Sequence, residues 1–499
     1  MDPWTIAAAH EAAVAPEQQR RRGAWYTPRP VVEAIVELAV PSGARPPGWS
    51  LDPSCGGGAF LVGVLDRLVA LGVPARDALD RVAGTDIDAG AVAATNAAVA
   101  AWAAHHGCEA RSVARLGDAL SAGAPASPVD LIVGNPPFAT PLRGAPLPAP
   151  AAELAAAQPE RFGPYADLAA IHLAAAWGAL APGGRLAMVV PQSLLNSRDT
   201  AGLRRELEPH TVAAWASRDR HFAANVRVWA PVLRRDASTS PEHHPPVEWS
   251  DRVGDALGVP AVPALGPDAG VLGDLAEATS GFRDEYYALA RACREASGAS
   301  DELPLCTVGS LDPLDLLWGR RPTKLAKVSW QRPVVALDDL DERREWVDRL
   351  CRPKVLLPTQ SKVLEPVVDP EGRLVPVTPV LAVWPRGDAT IQGTTFGVAD
   401  LAAVLLAPPV SAWALRRGLG TALSVDAIKL AARDVLRIPL PRHREPWRRA
   451  AELVADGPDA LDEIGHLMTE AYGPTDRPAE GATDNRSLTS WWADRRPRR

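Results

Sequence analysis

Residues 129–138 read Val-Asp-Leu-Ile-Val-Gly-Asn-Pro-Pro-Phe. Val129 to Val133 has the length and apolar content of a strand buried on both faces. Asn135-Pro-Pro-Phe138 must then be a turn, because two consecutive prolines lack N–H donors and hold φ fixed. From the composition of the chain, Asn-Pro-Pro-aromatic is expected about 0.003 times by chance. A plain Pro-rich turn closed by a core Phe is the alternative.

Working outward, strand-like and helix-like pieces alternate. Residues 24–40 read as a turn and a helix, with Pro28 and Pro30 at its start and Val31, Ile35, Leu38 and Ala39 on its apolar face. A strand ends near Leu51-Asp52, followed by a Gly-rich turn and a helix over 59–71. Residues 81–85 form the next strand and 89–105 an Ala-rich helix. A helix over 167–180 leads to a strand over 185–190. This spacing predicts an α/β fold: a Rossmann-like parallel sheet covered by helices, with ligands at the carboxyl ends of the strands.

Polar residues sit at those ends. Asp52-Pro-Ser-Cys-Gly-Gly-Gly58 follows the first strand, and its glycines allow close backbone approach to a ligand, although a simple Gly-rich connection reads the same way. It is not G-x-G-x-x-G, which disfavours a nicotinamide cofactor. Asp86 is placed to accept from two ribose hydroxyls, while Asp88 is the better helix cap. Asp118 follows a third strand; alone it reads equally well as a solvated loop residue.

The residue types at 135–138 suit one chemistry. An exocyclic amine on a base is a poor nucleophile, because its lone pair is delocalised into the ring. An amide oxygen and a backbone carbonyl can each accept one of its N–H bonds, which localises that pair on nitrogen. The aromatic ring offers a stacking face for a base taken out of its duplex.

The order of blocks resembles the N6-adenine DNA methyltransferases of the gamma arrangement, which form the modification part of several restriction systems. The blocks are Tyr26-Thr-Pro28, Asp52-Pro-Ser-Cys-Gly-Gly-Gly58, Asp86-Ile-Asp88, Gly117-Asp118 and Asn135-Pro-Pro-Phe138. The resemblance is specific over residues 24–235 and looser over 270–445. It implies an S-adenosyl-L-methionine-dependent methyltransferase sheet with a second α+β target-recognition domain. Thr27 and the Gly56–Gly58 loop would hold the methionine part of the cofactor, Asp86 the ribose and Asp118 the adenine amine. Tyr26, Asp52, Ser54, Cys55, Ile87 and Ala119 belong to the same cofactor blocks, and Asn135 borders them. Asn135, Pro136 and Phe138 would carry the catalysis, with Phe138 and Phe222 stacking on the flipped adenine. The family often has Ala or Thr at Ser54, Ser at Gly57 and Tyr at Phe138; Phe keeps the stacking face.

The rest of the chain divides as follows. Residues 1–235 form the catalytic domain, a Pro-rich linker spans 236–270, the recognition domain spans 271–455, and 456–499 is a polar, partly mobile tail. Residues 185–235 carry nine arginines against four acidic residues, and 411–450 nine basic against three acidic; either stretch reads as a phosphate track or a solvated basic face. Arg320, Arg321 and Lys324 are candidate DNA contacts.

The net charge of −7 over 499 residues neither demands nor forbids nucleic acid, since a cleft needs only local basic surface. Five dispersed cysteines without a C-x-x-C pair fit a reducing cytoplasm. No metal site, signal peptide or membrane span is expected. The roughly 24 residues before Tyr26 are too few for a nuclease fold, so no cleavage activity is expected.

The expected partners are double-stranded DNA and a cognate restriction endonuclease or specificity subunit. Two further readings remain. One keeps the chemistry on an RNA base or a protein glutamine; the other is a non-catalytic DNA-binding subunit of a defence complex.

Overall fold

The computed structural model describes residues 2–12, 27–121, 127–139, 141, 146–219, 226–235, 247–262, 265, 269–281, 283–340, 343–422, 426–473 and 487–497. Two compact units result: Met1–Leu257 with Leu419–Thr421, and Gly258–Gly418 with Ala422–Arg499.

The first unit is built on eight strands: β1 (Ser50–Asp52), β2 (Val82–Asp86), β3 (Ala114–Leu116), β4 (Val129–Gly134), β5 (Leu180–Met188), β6 (Val190–Pro191), β7 (Thr211–Ala216) and β8 (Val228–Arg234). Their order is β3-β2-β1-β4-β5-β8-β6, with β7 on β8. The pairs from β3 to β5 are parallel, and β8 runs antiparallel to β5, β6 and β7. Five of the six residues of β4 are buried, as a strand covered on both faces requires. The strand order reverses between β1 and β4, so a crevice opens there at the carboxyl ends.

Helix α1 (Pro3–Ala12) and helix α2 (Arg29–Ala39) precede the sheet; α3 (Ala59–Ala70), α4 (Ala89–His105) and α5 (Leu168–Ala179) connect its strands. Helix α2 buries Val31, Val32, Ile35, Val36 and Ala39. Leu38, expected on that face, is 37% exposed, because the buried stripe is centred between the 31/35 and 32/36 rows.

The expected linker contains helix α6 (Trp249–Ala256), which belongs to the first unit. Trp249 is buried, and its indole N–H donates to Thr211 Oγ1 at 2.7 Å. The prolines around this helix hid it from the composition.

The second unit contains two four-stranded sheets. Val367–Asp369, Lys354–Pro358, Val380–Pro385 and Ala276–Ser280 form one; Arg294–Glu295, Pro333–Ala336, Glu302–Cys306 and Val375–Pro376 form the other. The expected polar tail instead forms helices Leu461–Tyr472 and Leu488–Ala493, with Met468, Tyr472, Trp491 and Trp492 buried. Its apolar residues recur at helical spacing, so a polar average concealed a packed stripe. Among the described residues, no single helix is long and apolar enough to cross a membrane.

Candidate active site

The crevice is assembled from strand ends that lie far apart in sequence. Asp52 ends β1 and is fully buried; Ser54 N donates to its Oδ1 at 3.0 Å. Burial pushes this carboxyl up to about 8, with the nearby Asp86 carboxylate adding to the rise and the Ser54 hydrogen bond opposing it.

The turn after Asp52 packs tightly. Gly58 adopts a left-handed conformation (φ 91°) at the start of α3, where a side chain would be strained and would press on Thr95. Thr95 in turn donates from Oγ1 to Gly56 O at 2.7 Å. Gly57 faces another constraint: a Cβ there would lie 2.1 Å from Ala7 O. Helix α1 therefore sits directly on the glycine turn. It is anchored by Trp4, buried beside Gly63 and Val32, with the Arg29 guanidinium 5.1 Å from the indole centroid.

Asp86 ends β2. Its Oδ2 accepts from Gly56 N and its Oδ1 from Asp88 N, both at 2.9 Å, so two backbone donors fix the carboxylate in the crevice wall. Asp88 caps α4 by accepting from Gly90 N at 2.8 Å. Ile87 between them is 71% exposed, an apolar surface at the crevice lip. Asp118 accepts from Leu120 N at 2.9 Å and Ser121 Oγ at 3.0 Å, which holds it beside Ala119 in the same wall.

Asn135 follows β4, and its Nδ2 donates to the buried Thr27 Oγ1 at 3.1 Å. This contact turns the amide so that its oxygen is the end directed away from Thr27. Pro136 is buried; Pro137 lines the crevice. Phe138 is half-buried and packs against the main apolar core.

The structure thus brings Thr27, Asp52, Ser54, Cys55, Gly56, Asp86, Ile87, Asp118, Ala119 and Asn135 to one crevice. Gly58, Pro136 and Phe138 do not line it: Gly58 closes the turn against Thr95, and the other two are drawn toward the protein interior. Tyr26 and Phe222 lie outside the described residues. Arg320, Arg321 and Lys324 fall in the second unit. There Arg320 pairs with Asp315, and Arg321 pairs with Asp312 at 3.2 Å.

Much of the arginine-rich stretch 185–235 is internally engaged. Arg185 donates to Ala39 O, Arg204 to Leu194 O and Ser197 O, Arg218 to Leu257 O, and Arg235 to Leu180 O. These guanidiniums close carbonyl ends, which weakens the phosphate-track reading of that stretch. Sequence reasoning missed His10, Pro148, Leu168 and His172 as crevice residues. None stands in a block with a chemical signature; only the fold brings them there.

The crevice fits S-adenosyl-L-methionine. Carboxyl groups at three successive strand ends match an ammonium group, vicinal hydroxyls and a ring amine, and Ile87 offers an apolar face to a planar ring. The buried Ser54 Oγ has no hydrogen-bond partner among the described residues, so the wall retains capacity for a ligand. No group of His, Cys, Asp and Glu among the described residues is arranged to hold a metal ion.

Residues 12–208 match the family described as N-6 DNA Methylase. The chain is 30% identical over 217 residues to the Type II methyltransferase M.PaeR7I of Pseudomonas aeruginosa, covering 40% of this chain and 37% of that one. It is 36% identical over 192 residues to the release factor glutamine methyltransferase of Rhodospirillum rubrum, covering 35% of this chain and 49% of that one. The chain therefore spans less than half the length of these curated relatives. Among solved structures, the Type IIL restriction-modification enzyme MmeI in complex with DNA aligns with 99% of this chain and 81% of its own, at 11% identity and a TM-score of 0.55. That likeness concerns the fold. The sheet order, the crevice and the family match agree: residues 12–208 are similar to the N-6 DNA methylase family, and this part of the chain carries the S-adenosylmethionine-dependent methyltransferase fold.

Proposed function

We propose that this chain is an adenine-specific DNA methyltransferase acting on N6 of a base flipped out of duplex DNA, within a restriction-modification or phage-defence system. The observation that carries this reading is the Asn135 amide, fixed through Thr27 at the strand-end crevice. S-adenosyl-L-methionine supplies an electrophilic methyl group on sulfonium and leaves as S-adenosyl-L-homocysteine.

The protein prepares the nucleophile. Asn135 Oδ1 accepts one N–H of the adenine amine and the Pro136 carbonyl accepts the other, which returns the nitrogen lone pair to the attacking atom. Pro136 and Pro137 hold that carbonyl rigidly. Phe138 and Phe222 supply the stacking faces for the extruded base. Thr27, Asp52 and the glycine turn hold the methionine end, Asp86 the ribose, and Ile87, Asp118 and Ala119 the adenine of the cofactor. Alignment of amine and methyl carries much of the rate. The proton released from the amine passes to solvent.

The second unit is the proposed target-recognition domain. Arg320, Arg321 and Lys324 reach DNA if the two arginines exchange Asp315 and Asp312 for phosphate or guanine. A cognate endonuclease or specificity subunit is the proposed partner. The cytoplasm is the proposed compartment, in keeping with five cysteines that form no disulfide.

A second reading has a specific support: the 36% identity to a glutamine methyltransferase, whose substrate nitrogen is also a conjugated amide. The second unit and the full-length likeness in fold to MmeI favour DNA. The deciding experiment incubates the purified chain with S-adenosyl-L-methionine and unmethylated genomic DNA, followed by nucleoside mass spectrometry. N6-methyladenine at one short motif supports the DNA reading. Unmodified DNA, with methylation of a glutamine-bearing protein instead, replaces it by the second.

A further inference from the structure

Helix α5 is almost wholly apolar, Leu168-Ala-Ala-Ile-His-Leu-Ala-Ala-Ala-Trp-Gly-Ala179, and its residues from Leu168 to Ala174 are all buried. One polar side chain interrupts it. His172 is only 8% exposed, yet among the described residues no hydrogen bond reaches its ring. Its ring nitrogens are not sealed off but keep access to the crevice that the residue lines, so a bound group can reach them.

The position of the ring explains its retention. Leu168 and His172 are one turn apart on the same face, and both line the strand-end crevice. His172 also feels the Asp118 carboxylate. It therefore stands at the Asp118 side of the crevice.

Burial pushes His172 down to about 4, so its ring is neutral at physiological pH, with one nitrogen donating and the other accepting. A neutral imidazole is a poor counter-ion for the carboxylate of a methionine. It suits an uncharged heterocycle that presents acceptor nitrogens at its edge.

We propose that His172 hydrogen-bonds a ring nitrogen of the cofactor's adenine, beside the exocyclic amine taken by Asp118, and so selects adenine as the base of the bound cofactor. This rests on the cofactor reading above and adds a specificity-determining residue that no sequence block marks. The bound adenine would give His172 the partner that the protein withholds.

The test is calorimetric titration of the full chain with S-adenosyl-L-homocysteine and with its 1-deaza, 3-deaza and 7-deaza analogues, in which a ring nitrogen becomes C–H. The wild type should lose about fivefold to tenfold in affinity for the one analogue that lacks the contacted nitrogen. In His172→Phe the parent should weaken by a similar factor, and the penalty for that analogue should vanish. His172→Gln, which keeps a donor, should retain part of the penalty and serves if the Phe variant does not fold. An unchanged pattern across all four ligands in the folded variants overturns the proposal and leaves the cofactor reading standing. Failure of the wild type to bind S-adenosyl-L-homocysteine at all overturns both.

Discussion

Asn135 Nδ2 donates to Thr27 Oγ1 across 108 residues of sequence, at 3.1 Å. An amide can present either its oxygen or its NH2 group to a substrate, and only the oxygen can accept from an adenine amine. In the structure Thr27 Oγ1 takes the nitrogen end, and the amide oxygen is directed away from it. The residue that the sequence assigned to the cofactor thus also orients the amide beside it.

Asn135→Ala should lower methyl transfer by at least about 100-fold, the usual cost of losing one hydrogen-bonding group at a reacting centre. Affinity for S-adenosyl-L-homocysteine should change only a few-fold. Thr27→Val frees the amide to flip and should lower kcat, while Thr27→Ser should restore it. Single-turnover methylation and calorimetry check both arms; near-normal turnover in the Ala variant would rule out the mechanism.

Asp52 should make the ligand-free protein less stable as pH rises. Its carboxyl sits at about 8 in the fold, against an ordinary value of 3.8. Between these values the native state holds a proton that the unfolded chain has released, so stability declines across that window. Asp52→Asn keeps the acceptor for Ser54 N and removes the titration. It should stabilise the ligand-free protein on the order of 5 kcal/mol at pH 8 and change little at pH 4. Urea denaturation at the two pH values measures this.

His172 acts in the opposite direction. Its folded value of about 4 lies below the ordinary 6.5. Within that window the unfolded state takes up the proton, so stability falls as pH drops from 6.5 toward 4. The loss is about 3 kcal/mol by linkage, and His172→Phe should flatten that part of the stability profile.

Gly57→Ser tests the seating of α1. The family often carries Ser here, but the added Cβ would meet Ala7 O at 2.1 Å. The variant should lose about 1–3 kcal/mol and bind cofactor more weakly. Removal of residues 1–12 from the same variant should relieve the clash, so calorimetry would show the truncated Ser variant binding better than the full-length one.

Lys354 and Asp369 form a buried ion pair in the second unit, 0% and 4% exposed, and Asp369 also accepts from Arg373 N and Leu374 N. Lys354→Met leaves the carboxylate buried without its cation. The expected loss is about 3–5 kcal/mol, read from a denaturant transition assigned to the second unit by a tryptophan or proteolysis signal.

The strand-and-helix alternation, the polar blocks at strand ends and the Asn-Pro-Pro-Phe turn could be read directly from the sequence. Each is local: apolar period, turn chemistry and capping act within a few residues. Asp88 caps α4 as its spacing suggested, and the strand-end carboxylates converge because a parallel sheet aligns the ends of its strands. What tertiary structure alone decided is who meets whom. The seating of Ala7 on Gly57, the meeting of His172 and Asp118 in one crevice, the arginines that close carbonyl ends, and the burial of Trp491 and Trp492 in a segment of polar average all depend on contacts between residues distant in sequence. Those contacts follow from how helices pack over a sheet, and no short-range pattern encodes them.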